Sequence, residues 1–270
     1  MTNIITFPKL GFSLNLSPVA FTVGTKEVYW YALIILFGFL MGIFLVSFDS
    51  EKRGLSKDNV LDIALWGMVS GVICARIYYV LFSLDEFRGD WLGIFRIWEG
   101  GIAIYGAIIG AVLSTFIYCK KKKLNIFNTF DVCCVGLLLG QAIGRWGNFT
   151  NCEVFGRPTD FLLGMSINGN APVHPLFFYE SAWSFAGVIL LCILRNKKKK
   201  NGQIFFGYIL WYSAGRLVLE GMRDTRYILY VIPDALGISQ LVAALLIIAS
   251  VAGFIYVTKS KKECFKIQEK

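Results

Sequence analysis

A chain of 270 residues that is 56% hydrophobic, with a mean hydropathy of +0.60, is too apolar for a soluble domain of its size. Its net charge of +9 comes from basic residues gathered between apolar runs, which fits membrane topology and anchoring to anionic lipid and argues against nucleic acid as a partner. Seven cysteines (74, 119, 133, 134, 152, 192 and 264) without C-x-x-C spacing, and a single His, His174, support neither a disulfide framework nor a zinc site. No metal and no cofactor is therefore expected.

Residues 1–27 mix polar and apolar positions and lack the basic, apolar and small-residue order of a cleaved signal peptide. Windows of about 19 residues then predict seven membrane spans, near 28–48, 60–82, 101–119, 130–146, 175–194, 203–222 and 236–258, the fourth being the shortest. The predicted fold is an all-α polytopic membrane protein, one integral domain over 1–270, with 147–174 as an outer loop or cap. Lys52, Arg53 and Lys57, then Lys120 to Lys123, then Arg195 with Lys197 to Lys200, then Lys259, Lys261, Lys262 and Lys266 occupy alternate loops. By the positive-inside rule those loops are cytoplasmic, so the N-terminus lies outside and the C-terminus inside. Gly136, Gly140 and Gly144, and again Gly106 and Gly110, recur at four-residue spacing, which lets helix backbones approach closely in lipid. No internal repeat of the kind found in many secondary transporters is visible.

Several spans place a polar group at one depth. Arg76 lies 14 residues beyond Asp62 and Arg145 lies 14 beyond Asp131, each roughly 21 Å up its helix at about 1.5 Å per residue. Tyr105, Glu180 and Arg216 fall at about 21 to 23 Å on the same count, with Tyr31 and Glu220 slightly higher at about 27 Å. Charges facing lipid at that depth each cost a few kcal/mol, so these groups are expected to face one another or a wet cavity. A guanidinium offers a planar fork of donors, which suits Arg76, Arg145 and Arg216 to an oxyanion such as a lipid phosphate; structural ion pairs fixing helix register are the alternative.

In GRLVLEGMR, Arg216, Glu220 and Arg223 stand at i, i+4 and i+7 on one face, so Glu220 can pair with both arginines and orient them. HPLFFYE at 174–180 opens the fifth span, with Pro175 in the first turn, His174 at the outer interface, and Glu180 deeper and in need of Arg145 or Arg216. GRWGNFTNCEVFG at 144–156 closes an apolar segment with Arg145, Asn148, Asn151 and Glu153, where a helix built only to span would end. Its glycines 144, 147 and 156 read as backbone that turns sharply or approaches a ligand closely.

That last run resembles the signature of bacterial phosphatidylglycerol-prolipoprotein diacylglyceryl transferases, G-R-x-G-N-F-x-N-x-E-x-x-G. The resemblance continues through FPKLG, VYWYAL at 28–33, ARIYYVLF at 75–82, WEGGIAIYGAIIG at 98–110, HPLFFYE and GRLVLEGMRD at 215–224, and so spans nearly the whole chain. It implies a seven-span enzyme of the bacterial cell membrane that moves the diacylglyceryl group of phosphatidylglycerol onto the lipobox Cys thiol of a preprolipoprotein signal peptide, leaving glycerol phosphate. The family's essential positions fall on Tyr31, Arg145, Asn148, Asn151, Glu153, Gly156, Arg216 and Glu220, with His174, Tyr179 and Glu180 in a further shared stretch. One form of the family carries a His where IYGAIIG has Tyr105, so a mechanism with that His as base does not carry over, and Tyr105 is assigned to hydrogen bonding or positioning. Arg145 and Arg216 are expected on the phosphate, Asn148 and Asn151 on headgroup oxygens, and Glu153 or Glu220 orienting the arginines, with Arg76, Tyr31 and Gly156 also binding the lipid and Arg223 in support. An anion transporter would also gather intramembrane arginines, but apolar stretches such as LFGFLMGIFLV and FAGVILLCILR leave no polar path through the inner half. A headgroup transferase that uses no protein thiol is the third reading, distinguished by its indifference to a lipobox peptide.

Overall fold

The computed structural model describes residues 2–232 and 236–259; the expected cytoplasmic residues Lys261, Lys262 and Lys266, and Cys264, lie outside the described residues. In chain order the elements are β1 (Asn3–Phe7), β2 (Phe12–Leu16), β3 (Val19–Val23), β4 (Lys26–Tyr29), α1 (Trp30–Asp49), α2 (Lys57–Phe82), α3 (Ile104–Lys122), α4 (Ile126–Thr150), β5 (Ser166–Ile167), α5 (Leu176–Leu194), α6 (Gln203–Glu220), β6 (Tyr230–Ile232), β7 (Leu236–Gly237) and α7 (Ile238–Lys259). Six of the seven α-helices among the described residues are long and apolar enough to cross a bilayer, which makes this a multi-pass membrane protein. The seventh, α6, has 18 residues but is diluted by Gln203, Arg216 and Glu220. Packing divides the chain into two compact units, one of Asp49–Thr129 and one of the segments ending at Phe48 and starting at Phe130.

In the first of these units α2 starts at Ser56, whose hydroxyl accepts the Asn59 N–H at 3.2 Å, with Asp58 in the first turn. Gly106 and Gly110 of α3 press onto α2, where a Cβ at 106 would stand 2.6 Å from Tyr78 Cβ, and the Ser70 hydroxyl donates to the Gly110 carbonyl at 3.1 Å. The small-residue spacing therefore serves close helix packing. Near the other ends of these helices the Tyr118 hydroxyl reaches Asp62 at 2.6 Å and Asn59 at 2.9 Å. Three lysines in the last turn of α3 lie against its negative dipole end before Lys123 turns left-handed.

The larger unit holds α1 and α4 to α7 together with the strands. α1 carries no charge before Asp49 and buries only Gly38, Gly42 and Val46, as a helix facing lipid on most sides should. Gly42 sits against α4 so closely that a Cβ would come 2.7 Å from the Gly136 carbonyl oxygen, and one at Gly38 would come 3.2 Å from that of Gly140. α5 and α6 interlock through Trp183 and Trp211, whose rings stack at 4.4 Å and 17°. Asp131 of α4 is 2% exposed and caps the start of α6, accepting the Gly202 N–H at 2.7 Å and the Phe205 N–H at 2.8 Å while pairing with Lys198 at 3.1 Å.

Two differences from the sequence reading bear on the site. α4 extends to Thr150, so residues 147–150 are helical and the loop expected from 147 begins after them. Hydropathy windows trim a helix at its first polar residues, yet the backbone here goes on bonding, the Asn151 N–H donating to the Gly147 carbonyl at 3.1 Å, and the Thr150 side-chain hydroxyl donates to the same carbonyl at 2.8 Å. The helices are also joined by short strands in the segment read only as mixed polar and apolar. Gly24, at φ +61, opens the two-residue turn of the β3–β4 hairpin, a position that requires a left-handed backbone. β1 pairs with β2 and, through Ile5 opposite Ile167, with β5. Its Ile5 packs with Met165, Val173 and Phe177, and Phe149 from the end of α4 joins that cluster.

Candidate active site

Glu180, in the second turn of α5, is the hub of the site. Its carboxylate, almost buried, receives Arg145 Nε of α4 at 2.8 Å, Arg223 Nη2 at 2.9 Å and Arg216 Nη1 of α6 at 3.3 Å. Glu220 takes the other side of the last two, with Arg216 Nη2 and Arg223 Nε each 3.2 Å from its Oε2. The i, i+4, i+7 spacing thus does put Glu220 between both arginines, and Glu180 finds Arg145 and Arg216 together. Arg216 Nη2 also lies 3.4 Å from the Ser239 hydroxyl of α7, a partner that no pattern near 216 announces.

Charges this buried persist because each has a counter-charge, and removing one partner would strand the others. Exposure is uneven across the cluster. The side chains of Arg223 and Glu220 are 8% and 2% accessible, whereas Arg145 and Arg216 keep 23% and 20%. Arg145 meets Glu180 through Nε, and its Nη1 and Nη2 donate no hydrogen bond among the described residues. A guanidinium held by Nε with its outer fork open is a ready oxyanion receptor.

One helical turn further along α4, Asn148 and Asn151 converge on Glu153, whose Oε1 accepts their side-chain amides at 3.0 and 3.4 Å. Cys152, in the turn after α4, takes the left-handed region at φ +53, and Val154 follows at φ +56. A β-branched residue there is strained by about 1–3 kcal/mol, which holds Glu153 between two unusual backbone conformations. Burial pushes the Cys152 thiol above its ordinary value, so it stays protonated near neutrality.

Gly156 is required by space. A Cβ there would meet His174 Cβ at 2.6 Å and the Met222 carbonyl at 2.8 Å, because its strand-like segment is sewn on one side to His174 and on the other to residues 222–224. Arg223 is thereby anchored by backbone as well as by its two carboxylates. His174 Nδ1 lies 3.3 Å from the Tyr179 hydroxyl, and burial lowers the His174 pKa, which favours the neutral ring. Tyr31 lies on Gly147, where a Cβ would come 2.7 Å from the ring.

Arg76 and Tyr105 belong to the smaller unit. Arg76, expected on phosphate, spends its donors on backbone carbonyls: Nε on Ile94 at 2.8 Å, Nη1 on Gly100 and Gly101 at 2.7 Å each, and Nη2 on Gly93 at 2.7 Å. It is the tie that folds the α2–α3 connection. Depth counting registers a buried charge but cannot tell a side chain aimed at a ligand from one aimed at the chain's own loop. The Tyr105 ring lies 6.4 Å from that of Tyr78.

Residues 18–256 match the profile of the family Prolipoprotein diacylglyceryl transferase. This chain belongs to that family. It is 41% identical over 247 residues to the phosphatidylglycerol--prolipoprotein diacylglyceryl transferase of Halalkalibacterium halodurans, covering 87% of this chain and 84% of that protein. The enzyme of the same name from Shouchella clausii is 40% identical over 246 residues, 87% of each chain. That of Bacillus licheniformis is 38% identical over 265 residues, 94% of this chain and 97% of its own.

Proposed function

We propose that this protein transfers the diacylglyceryl group of phosphatidylglycerol to the thiol of the lipobox Cys in a preprolipoprotein, at the bacterial cell membrane, as the first step of lipoprotein maturation. The family and the names of its relatives support the reaction. The open Nη fork of Arg145, held by Glu180 through Nε, supports the place where it happens.

In this reading Arg145 and Arg216 bind the phosphodiester of the lipid from the exposed side of the cluster. The substrate sulfur attacks C3 of the diacylglyceryl unit, the new C–S bond forms as the C3–O bond breaks, and the electron pair of that bond leaves on the phosphate oxygen. The thiol gives up its proton, and the glycerol phosphate carries away the added negative charge. Arginines already fixed by Glu180 and Glu220 meet that charge without reorganising, which is electrostatic catalysis. A cationic surround also favours the thiolate over a free thiol of pKa about 8.5. Asn148 and Asn151, oriented by Glu153, face the headgroup oxygens. The termini follow the positive-inside rule, with the N-terminus outside and the site toward the outer leaflet.

The test uses purified protein in detergent, phosphatidylglycerol labelled in its diacylglycerol part, and a peptide carrying a signal-sequence apolar region and a lipobox Cys. Transfer of label that is lost with Arg145→Ala and with a Cys→Ser peptide is the expected result. No transfer by folded protein would overturn the assignment.

A further inference from the structure

The ion-pair cluster depends on three helices meeting at one register, and two side-chain latches within about a turn of it set that register. Between α5 and α6, the Trp183 indole N–H donates to the Trp211 carbonyl at 3.0 Å and the Trp211 N–H donates back to the Trp183 carbonyl at 2.9 Å. The two rings stack at 4.4 Å between these bonds. Each indole also occupies the space over a glycine of the opposite helix, Trp183 over Gly215 and Trp211 over Gly187, so neither glycine has room for a Cβ. Gly215 immediately precedes Arg216, and Trp183 follows Glu180 by three residues. The stack therefore fixes the two backbones that carry the Glu180–Arg216 pair.

Between α4 and α5, the Trp146 indole donates to the Ser181 hydroxyl at 3.1 Å, and that hydroxyl donates to the Ala142 carbonyl at 2.8 Å. Trp146 and Ser181 are the immediate neighbours of Arg145 and Glu180, whose ion pair bridges the same two helices. Ser184 adds a hydroxyl bond to the Glu180 carbonyl at 2.8 Å. Apolar packing alone would let lipid-facing helices slide, since tails are as apolar as the side chains they replace; directional bonds in a medium without competing water do not. A slide of one residue, about 1.5 Å, would carry a charged pair out of bonding range.

We infer that Trp183, Trp211 and Ser181 are positioning residues for the transfer reaction, holding α4, α5 and α6 at the register in which Arg145 and Arg216 present their open faces to the lipid phosphate. This rests on the proposed phosphate role of those two arginines. None of the three latch residues touches substrate; they act through Glu180 and its arginines.

Trp183→Phe and Trp211→Phe keep a ring over each glycine and delete one hydrogen bond apiece. We would measure thermal stability, preference for phosphatidylglycerol over phosphatidylcholine by native mass spectrometry, and KM for lipid and for peptide separately. The expected result is a rise in KM for phosphatidylglycerol of at least about tenfold and a weakened lipid preference, with the peptide KM and the melting temperature held, and a double variant no worse than either single one. Unchanged lipid preference and KM in folded variants would overturn the inference, as would losses that track the melting temperature or fall equally on lipid and peptide. Should Trp183→Phe not fold, Ser181→Ala deletes a single hydroxyl from the second latch and is read the same way. Lipid preference is measured without turnover, so a wild-type protein that performs no transfer would count against the proposed function while leaving the latch inference separately decided.

Discussion

Replacing Glu180 by Gln removes one charge and little volume from the centre of the site. The cluster holds three guanidiniums against two carboxylates, formally +1, and the variant raises this to +2 while leaving Arg145, Arg223 and Arg216 without a carboxylate that now stands 2.8, 2.9 and 3.3 Å away. Arg216 and Arg223 retain Glu220, but Arg145 loses its one carboxylate partner among the described residues. Breaking a buried pair by removing one member costs about 3–5 kcal/mol, and the upper half of that range fits a hub shared by three arginines. For a protein of this size 1 kcal/mol corresponds to about 2–4 °C, so a fall in melting temperature on the order of 10 °C is expected in detergent. Activity should fall further than stability explains, by about 10²–10³ in kcat/KM below the variant's melting range, because the Arg145 fork is no longer aimed. The assay pairs a thermal-shift measurement with labelled diacylglyceryl transfer at a temperature where both proteins are folded. A variant that melts like the wild type, or one that loses stability yet transfers at the wild-type rate, would refute the argument that Glu180 organises the site.

Arg145→Lys keeps the charge but replaces the Nε-held fork by a single ammonium, so transfer is expected to fall by about 10–100-fold with the lipid KM more affected than the peptide KM; equal activity would show that only charge matters there. Gly156→Ala puts a Cβ 2.6 Å from His174 Cβ and 2.8 Å from the Met222 carbonyl, and backbone on both sides has to shift. A loss of about 1–3 kcal/mol, read by thermal shift, together with faster proteolysis after residues 157 or 226, is the expected outcome. His174 has its pKa lowered by burial, so the fold favours the neutral ring; its contribution is present above the unfolded value near 6.5 and is lost as the pH falls through the lower folded value. His174→Gln should therefore flatten the acid limb of the stability profile below about pH 6.5, and an unchanged limb would assign that acid sensitivity to other groups.

Much of the membrane architecture is legible in the linear sequence. Hydropathy is a local sum, so apolar runs located the helices whatever they pack against, and the small-residue spacings named the faces where α2 meets α3 and α1 meets α4. Helical geometry is equally local, and it placed Arg216, Glu220 and Arg223 on one face and Glu180 at the depth of Arg145. What the same reasoning missed is partner choice. Arg76 satisfies every depth criterion that Arg145 does, and its donors go to the carbonyls of residues 93, 94, 100 and 101. Asp131, at the inner boundary of its helix, caps another helix.

Strands of two to five residues are not legible in the sequence because β1 and β5 are brought together from distant parts of the chain, 160 residues apart at Thr6 and Ser166. Polarity and helicity are separate properties, so α4 runs on past its last apolar turn to Thr150. By itself the sequence determined which segments are membrane helices, which family the chain resembles, and which charges had to find partners. Only the tertiary structure decided which partners they found, because an ion pair depends on distances between atoms that covalent order does not fix, and on latches such as Trp183 with Trp211 that exist only once two helices lie side by side.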